Sequence, residues 1–386
     1  MTEIVILGAG YTGMTAALGV ARRTRRREDV RIRLVNPQTR FTERLRLHQI
    51  ASGQTLADLQ IPDMLEGTGV ELVQGWVTAI DAEAHTVRID DEQTLHYDTL
   101  VYALGAAADT TAVPGADQHA FTLDSMRDAK LLAATLRRTD TGTVAVIGGG
   151  LTGVESSAEI AEQHPRLQVM LLSRGRVAPM MGDKARARLL AGLDRLGVQV
   201  REFADVIKVQ PDAVELVGGE RIETAAVLWT AGVRVPPLAA RGGLATDDRG
   251  RIITDPTLRS VSHPDVWAVG DAAAVHQSYG VMHGTCQGGI PTAAHAAASI
   301  ARTLKAKQPK PFRFGYVHQP VSLGRHDAVI QFTHPDDTPN RFRLTGRWAT
   351  AYKETVSSSP WPTFRLLKVF APAVPWRRGG RTNRVG

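Results

Sequence analysis

Two stretches of the chain share one pattern of apolar and polar positions. In EIVILGAGYTGMTAALGVARRT, the unbroken apolar run Ile4–Leu7 meets a cluster of glycines. It continues as a stretch whose apolar residues recur at helical spacing. In TVAVIGGGLTGVESSAEIAEQ the same order returns around Gly148. An unbroken apolar run bounded by glycine predicts a strand buried on both faces, and a 3.6-residue period predicts a helix laid on the sheet. A second strand follows each helix: RIRLVN ends at Asn36, and QVMLLS ends at Ser173. Strand–helix–strand met twice predicts an α/β chain with two three-layer domains. Beyond them the pattern changes to short strands at 320–323, 328–332 and 341–344 and a helix around 347–356, a small α+β C-terminal unit.

The glycines give these turns a chemistry. Gly8 permits a tight turn, Gly10 lets backbone approach a pyrophosphate, and Gly13 lets the helix pack close to the strand. The free N–H groups and positive dipole end at the helix start, around Tyr11 and Thr12, suit phosphate oxygens. Gly148, Gly150 and Gly153, with Leu151 and Thr152, repeat the device. Both copies are read as dinucleotide-binding turns in Rossmann-like domains. An acidic residue at the end of the second strand normally grips the adenosine ribose; the first copy has Asn36 there, whose amide oxygen can still accept from a ribose hydroxyl without the charge, and the second has Ser173, followed by Arg174 and Arg176. Two cations at that place suit a 2′-phosphate, and a solvated loop is the alternative reading. Glu155 lies near the second helix start, where a carboxylate suits the dipole.

Other segments carry a resemblance. VYALGA (101–106), LWTAGV (228–233) and RIITDPTLRSVSHPDVWAVGDAAAV stand in the order of the crossings and the second FAD motif of the two-dinucleotide-binding flavoproteins, the pyridine nucleotide–disulfide oxidoreductases. The chain is most similar to the type II NADH dehydrogenase branch, NADH:quinone oxidoreductases. The resemblance implies tightly bound FAD and transient NADPH or NADH. It implies hydride transfer to the flavin, then electron transfer to a quinone or similar small acceptor. It implies cofactor contacts at Val77, Ala103, Gly105, Ala231, Gly232 and Gly270, with Asp271 accepting from the flavin ribitol. In CQGGIPTAAHAAASI, Gln287 matches the family's first glutamine and Cys286 stands where it has alanine. The second glutamine is absent near Pro291 and Thr292. Gln287 and Glu155 are the candidates for the chemistry itself, Gln287 as a hydrogen-bond partner of the ring or as a backbone cap. A helix beginning near Pro291, or a turn before it, is expected to aim its positive end at the reduced ring. FTERLRLHQ puts Arg44, Arg46 and His48 where the family approaches the flavin; for Arg46 a surface ion pair is the alternative.

Composition narrows the setting. The chain has 386 residues, enough for two or three domains, and a single cysteine. That excludes an internal disulfide framework, a CxxC pair and a cysteine-based zinc site, and the scattered histidines offer no metal site. Cys286 is read as a small buried residue rather than a nucleophile. The resemblance divides the chain into a first FAD half (1–112), an NAD(P) domain (113–233), a second FAD half (234–308) and the C-terminal unit (309–386). The excess of 46 Lys and Arg over 39 Asp and Glu is dispersed without a recognition motif, so nucleic acid is discounted. Neither a signal-peptide pattern nor an apolar run long enough to span a bilayer is present, so a cytoplasmic protein is expected. Trp361, Phe364, Leu367, Phe370 and Trp376 mix with Arg365, Lys368, Arg377 and Arg378 near the C-terminus. That composition suits peripheral contact with the inner face of a membrane, and a tail packed on the protein is the alternative. A reductase for an iron–sulfur partner, a tailoring oxidoreductase on a specialised metabolite and an NAD(P)H sensor remain open, as does assembly into a homo-oligomer.

Overall fold

A computed structural model of the chain describes residues 1–370 and 374–383. Its first sheet has five strands, all parallel, in the order Val266–Ala268, Thr99–Tyr102, Thr2–Leu7, Val30–Asn36, Val70–Gln74. Its second has four, also parallel, in the order Gln199–Glu202, Leu167–Ser173, Gly142–Ile147, Ala226–Trp229. In each sheet the strand that precedes a glycine turn is internal. Its side chains are buried on both faces of the sheet: Ile4, Val5, Ile6 and Leu7 are fully buried, as are Val144, Ala145 and Val146. Central parallel strands therefore read as continuous apolar runs in the sequence. An antiparallel three-stranded meander accompanies each sheet: Val77–Asp81 to Gln93–His96, and Val206–Val209 to Arg221–Glu223. The two connecting segments lie side by side, Ala107–Ala108 paired antiparallel with Val233–Arg234.

Each glycine turn is followed by its helix, Tyr11–Thr24 and Leu151–Gln163. The first helix lies against Cys286–Thr303, and small residues set their separation. A Cβ placed on Gly19 would stand 2.9 Å from that of Ala297, so alanine there would force the helices apart.

The C-terminal strands are His318–Ser322, Ala328–Thr333 and Pro339–Thr345, antiparallel, followed by helices Gly346–Ser358 and Pro360–Val369. This unit packs on both sheets. Phe312, Phe314 and Tyr316 join the first core, and Val321, Leu323 and Val329 the second. The tail is largely folded onto the protein. Phe364 and Leu367 are buried, and Phe41 meets both Trp361 and Phe364 at 5.5 Å between ring centroids. Trp376 donates its ring N–H to the Arg313 carbonyl at 2.9 Å. Of the aromatic residues that composition suited to an interface, Trp361, Phe364 and Trp376 thus pack on the core. Leu366, Val369 and Phe370 remain exposed. The tail positions 371–373 and 384–386 lie outside the described residues. Among the described residues no helix is long and apolar enough to cross a membrane.

Candidate active site: two phosphate loops and a buried charge cluster

The first loop is built by close approach. Gly8 has φ +90°, and a Cβ on it would stand 2.8 Å from the Ala103 carbonyl oxygen. A Cβ on Gly13 would overlap the Gly8 carbonyl. A Cβ on Gly10 meets nothing within 4 Å. The helix behind it carries no acidic residue in its first turn and no side-chain cap. Uncapped N–H donors behind an open backbone position are what a pyrophosphate requires. The second loop repeats this in detail. Gly153 is pressed against the Gly148 carbonyl, Gly150 is open, and helix Leu151–Gln163 has neither an N-cap bond nor a first-turn acid. Both loops therefore fit a dinucleotide.

Asn36 is used structurally. Its Oδ1 accepts from the Ala9 N–H at 2.9 Å and its Nδ2 donates to the Gln38 carbonyl at 2.7 Å, tying the loop to the end of the second strand. Ser173 holds the matching place in the second copy: a Cβ on Gly149 would overlap its hydroxyl. Arg174 and Arg176 are exposed on the loop that follows.

The flavin-side residues converge. Cβ atoms on Gly270 and Gly289 would stand 2.8 and 2.9 Å from the Thr12 methyl. The first fingerprint helix, the Gly270–Asp271 turn and helix Cys286–Thr303 thus meet at one point. Arg251, Asp271, His283, Thr285, Gly288 and Thr292 are among those lining a small cleft beside it. Burial raises the Asp271 carboxyl, and the Arg44 charge draws it partly back. Arg44 spans the crossing, donating to the Ala106 carbonyl at 2.8 Å and pairing with Asp124 at 3.3 Å, beside Gly105. The Tyr11 hydroxyl accepts from the Leu45 N–H at 3.3 Å, and its ring meets Phe41 edge-on. Val77 packs, partly buried, on the first core, and Ala231 on the core beside the second sheet. Gly232 turns the chain into the return crossing with φ +75°.

Helix Cys286–Thr303 starts more than a turn before Pro291, with Thr285 as its cap accepting from the Gly288 N–H. Pro291 lies inside it and leaves the Gln287 carbonyl without a helical partner. Both ends of the Gln287 amide are taken by backbone. Its Nε2 donates to the His318 carbonyl at 2.9 Å, and its Oε1 accepts from the Val317 N–H at 2.7 Å. The side chain clamps the helix start to the C-terminal sheet. Burial pushes the Cys286 thiol up to about 11, which leaves it protonated and unreactive at neutral pH.

Glu155 is drawn into a cluster that the sequence did not announce. Its Oε1 lies 2.6 Å from Lys353 Nζ and accepts from the Ser322 N–H and hydroxyl at 2.9 and 3.0 Å. Burial is the largest influence and acts to raise its carboxyl, but the Lys353 charge together with the other groups around it, the Lys353 and Ser322 hydrogen bonds among them, outweighs burial and holds the group below the usual carboxylate range, ionised. His48 lies beside this pair; its Nε2 is buried without a hydrogen-bond partner among the described residues, and burial lowers the ring to about 4, so it is neutral. One helical turn on, Glu159 accepts from Gln54 and is raised to about 7 by burial. Arg46 is turned away into an ion pair with Glu354 at 3.1 Å, which also pairs with Arg325. Lys353, Ser322 and Glu354 had no local signal in the sequence. YKETV reads as an ordinary helix face, and its partners lie far away in the chain.

A family profile described as pyridine nucleotide-disulphide oxidoreductase matches residues 2–300. The chain belongs to this family. An NADH dehydrogenase-like protein of Mycobacterium tuberculosis is 31% identical over 354 residues, covering 85% of this chain and 87% of that protein. The type II NADH:quinone oxidoreductase NdhA of the same species is 30% identical over 378 residues, covering 85% and 78%. Among solved structures, the sulfide:quinone oxidoreductase of Aquifex aeolicus superposes with a TM-score of 0.80 at 16% identity, over 96% of this chain and 92% of that one. It shares the fold. The chain is accordingly an oxidoreductase of a NAD(P)H-dependent flavin family, with two Rossmann-type domains.

Proposed function

We propose that this chain holds FAD on its first glycine loop and NAD(P)H on its second, and passes the electrons to a quinone or similar small acceptor. The observation that carries the reading is the matched pair of loops, each with an open central glycine and an uncapped helix start. On this reading the domain division is 1–112 with 234–308 around 113–233, followed by 309–386. When bound, the flavin supplies the chemistry of taking a hydride from the nicotinamide and releasing electrons to the acceptor.

The chain's own residues then have definite parts. Helix starts at Tyr11 and Leu151 hold phosphates, and Asp271 orients the ribityl chain through hydrogen bonds. Reduction of a quinone also consumes protons. The Glu155–Lys353 pair lies near Cys286, whose thiol the Lys353 charge reaches, and so borders the same centre. Lys353 Nζ is a donor held at the acceptor end, with Glu155 fixing its position. The relatives named as NADH:quinone oxidoreductases support this choice of acceptor. We place the protein in the cytoplasm, touching the inner face of the membrane through exposed Leu366, Val369 and Phe370 beside Arg365.

The test is anaerobic reduction of the purified protein by NAD(P)H, then reoxidation by a menaquinone analogue, a ferredoxin and oxygen in separate syringes. Fastest reoxidation by the quinone is expected. Fastest reoxidation by ferredoxin would replace this acceptor with an iron–sulfur partner.

A further inference from the structure

We propose that the loop after the second fingerprint strand selects NADPH over NADH, with Arg174 and Arg176 receiving the 2′-phosphate; this rests on the reading of the second glycine loop as the pyridine-nucleotide site. In such a βαβ unit the end of the second strand lies beside the adenosine ribose. That strand here ends at Ser173, so the next residues face the ribose edge.

The charge at that edge is only loosely compensated. Arg174 is exposed and forms no ion pair among the described residues. Arg176 lies 3.7 Å from Asp183 with both side chains largely exposed, a loose contact, and its charge also reaches Glu202. The nearby acid is already committed. Glu202 ends the neighbouring strand opposite Ser173, where its carboxylate accepts from the Val177 N–H and from Arg186. The position directly after the strand is thus a cation, Arg174, with no ion pair among the described residues, where a ribose-gripping acid would otherwise stand.

The loop is also held ready. The Ala178 N–H donates to the Gly149 carbonyl at 2.7 Å, and Val177 and Ala178 are fully buried. The tip carrying the two arginines is thus fixed to the phosphate loop itself, and little backbone entropy is lost on binding. The first glycine loop has no such edge. Arg40, the cation that follows Asn36, is spent on Asp58 at 2.7 Å and on the Ala57 carbonyl. The two sites are alike in their phosphate loops and differ at the ribose, as a site for FAD and a site for NADPH must.

The probes are adenosine 2′,5′-bisphosphate, adenosine 3′,5′-bisphosphate and adenosine 5′-monophosphate, titrated into the flavin-loaded protein by calorimetry. The kinetic counterpart is flavin reduction by NADPH and by NADH. The 2′,5′ compound is expected to bind about tenfold or more tighter than either control. Arg174→Ala should remove most of that ratio, Arg176→Ala part of it, and Arg174→Lys should keep an intermediate value because the charge remains without the fork. Equal binding of the two bisphosphates would overturn the proposal, as would a ratio that neither alanine variant moves, or faster reduction by NADH. A protein that holds no flavin, or is reduced by neither nucleotide, would instead sink the reading beneath it.

Discussion

Lys353, from a helix near the C-terminus, places its ammonium 2.6 Å from the carboxylate of Glu155, two residues past the last glycine of the second fingerprint. The pair joins the C-terminal unit to the nucleotide loop in a buried setting. Removing one partner strands the other charge. Lys353→Met is expected to lower stability by about 3–5 kcal/mol. The double variant with Glu155→Gln should recover much of that loss. Urea unfolding of all four members of the cycle measures the coupling, and additive losses would mean that the pair is not coupled.

The open glycines separate folding from binding. Alanine at Gly10 or Gly150 meets nothing within 4 Å among the described residues, whereas alanine at Gly13 or Gly153 collides with the preceding turn. Gly10→Ala should fold and lose FAD; Gly150→Ala should keep FAD and bind NAD(P)H more weakly by about tenfold or more. Flavin content and nucleotide titration decide this, and an unaltered Gly150→Ala would remove the second site.

Glu159 gives the protein a pH dependence. Its carboxyl is raised by burial from its ordinary value to about 7, so the native state holds a proton that the unfolded chain releases above about pH 4.5. Stability contributed here is present at low pH and is lost as pH rises toward 7. Glu159→Gln keeps the neutral shape and should be more stable than the parent at pH 8 by up to about 3 kcal/mol, because each tenfold change in proton affinity between the folded and unfolded chain is worth roughly 1.4 kcal/mol. Neutral, buried His48 has the opposite sign: its stability is lost on acidification from about 6.5 to about 4. Denaturant midpoints between pH 5 and 8 measure both, and a Gln variant weaker than the parent at pH 8 would contradict the first.

Gln287 is a clamp in this structure, bonded at both ends of its amide to 317–318. Gln287→Ala should cost about 1–3 kcal/mol of stability by leaving those backbone groups unpaired. The flavin's midpoint potential should move little. A large shift of potential with unchanged stability would give the side chain a direct part at the ring.

Much of the architecture was legible because its signals are local. Ile4–Leu7 with Gly8, and Gly142–Ile147 with Gly148, announce buried strands and turns within a dozen residues. The C-terminal strands followed the pattern to within two residues. What was not legible depends on distant partners. Nothing near Glu155 in the chain says that Lys353 will neutralise it, and nothing near Arg46 points to Glu354. Asn36 read as a ribose contact because only its strand position was visible; the Ala9 N–H that its oxygen receives is brought to it by the folded loop. Pro291 marked a helix start by its usual habit, but the Thr285 cap moves that start back to Cys286. Phe364 looked interfacial because composition cannot tell which face of a short helix meets Phe41.

The proposed activity requires both glycine loops to hold dinucleotides at once, with their reactive rings in contact. The visible spectrum of the purified protein, recorded anaerobically before and after addition of NADPH, reads this out without further assumptions. A yellow protein carrying FAD that bleaches on mixing is expected. A colourless protein that takes up no added FAD, or a flavin that keeps its colour under excess NADPH and NADH alike, would refute it.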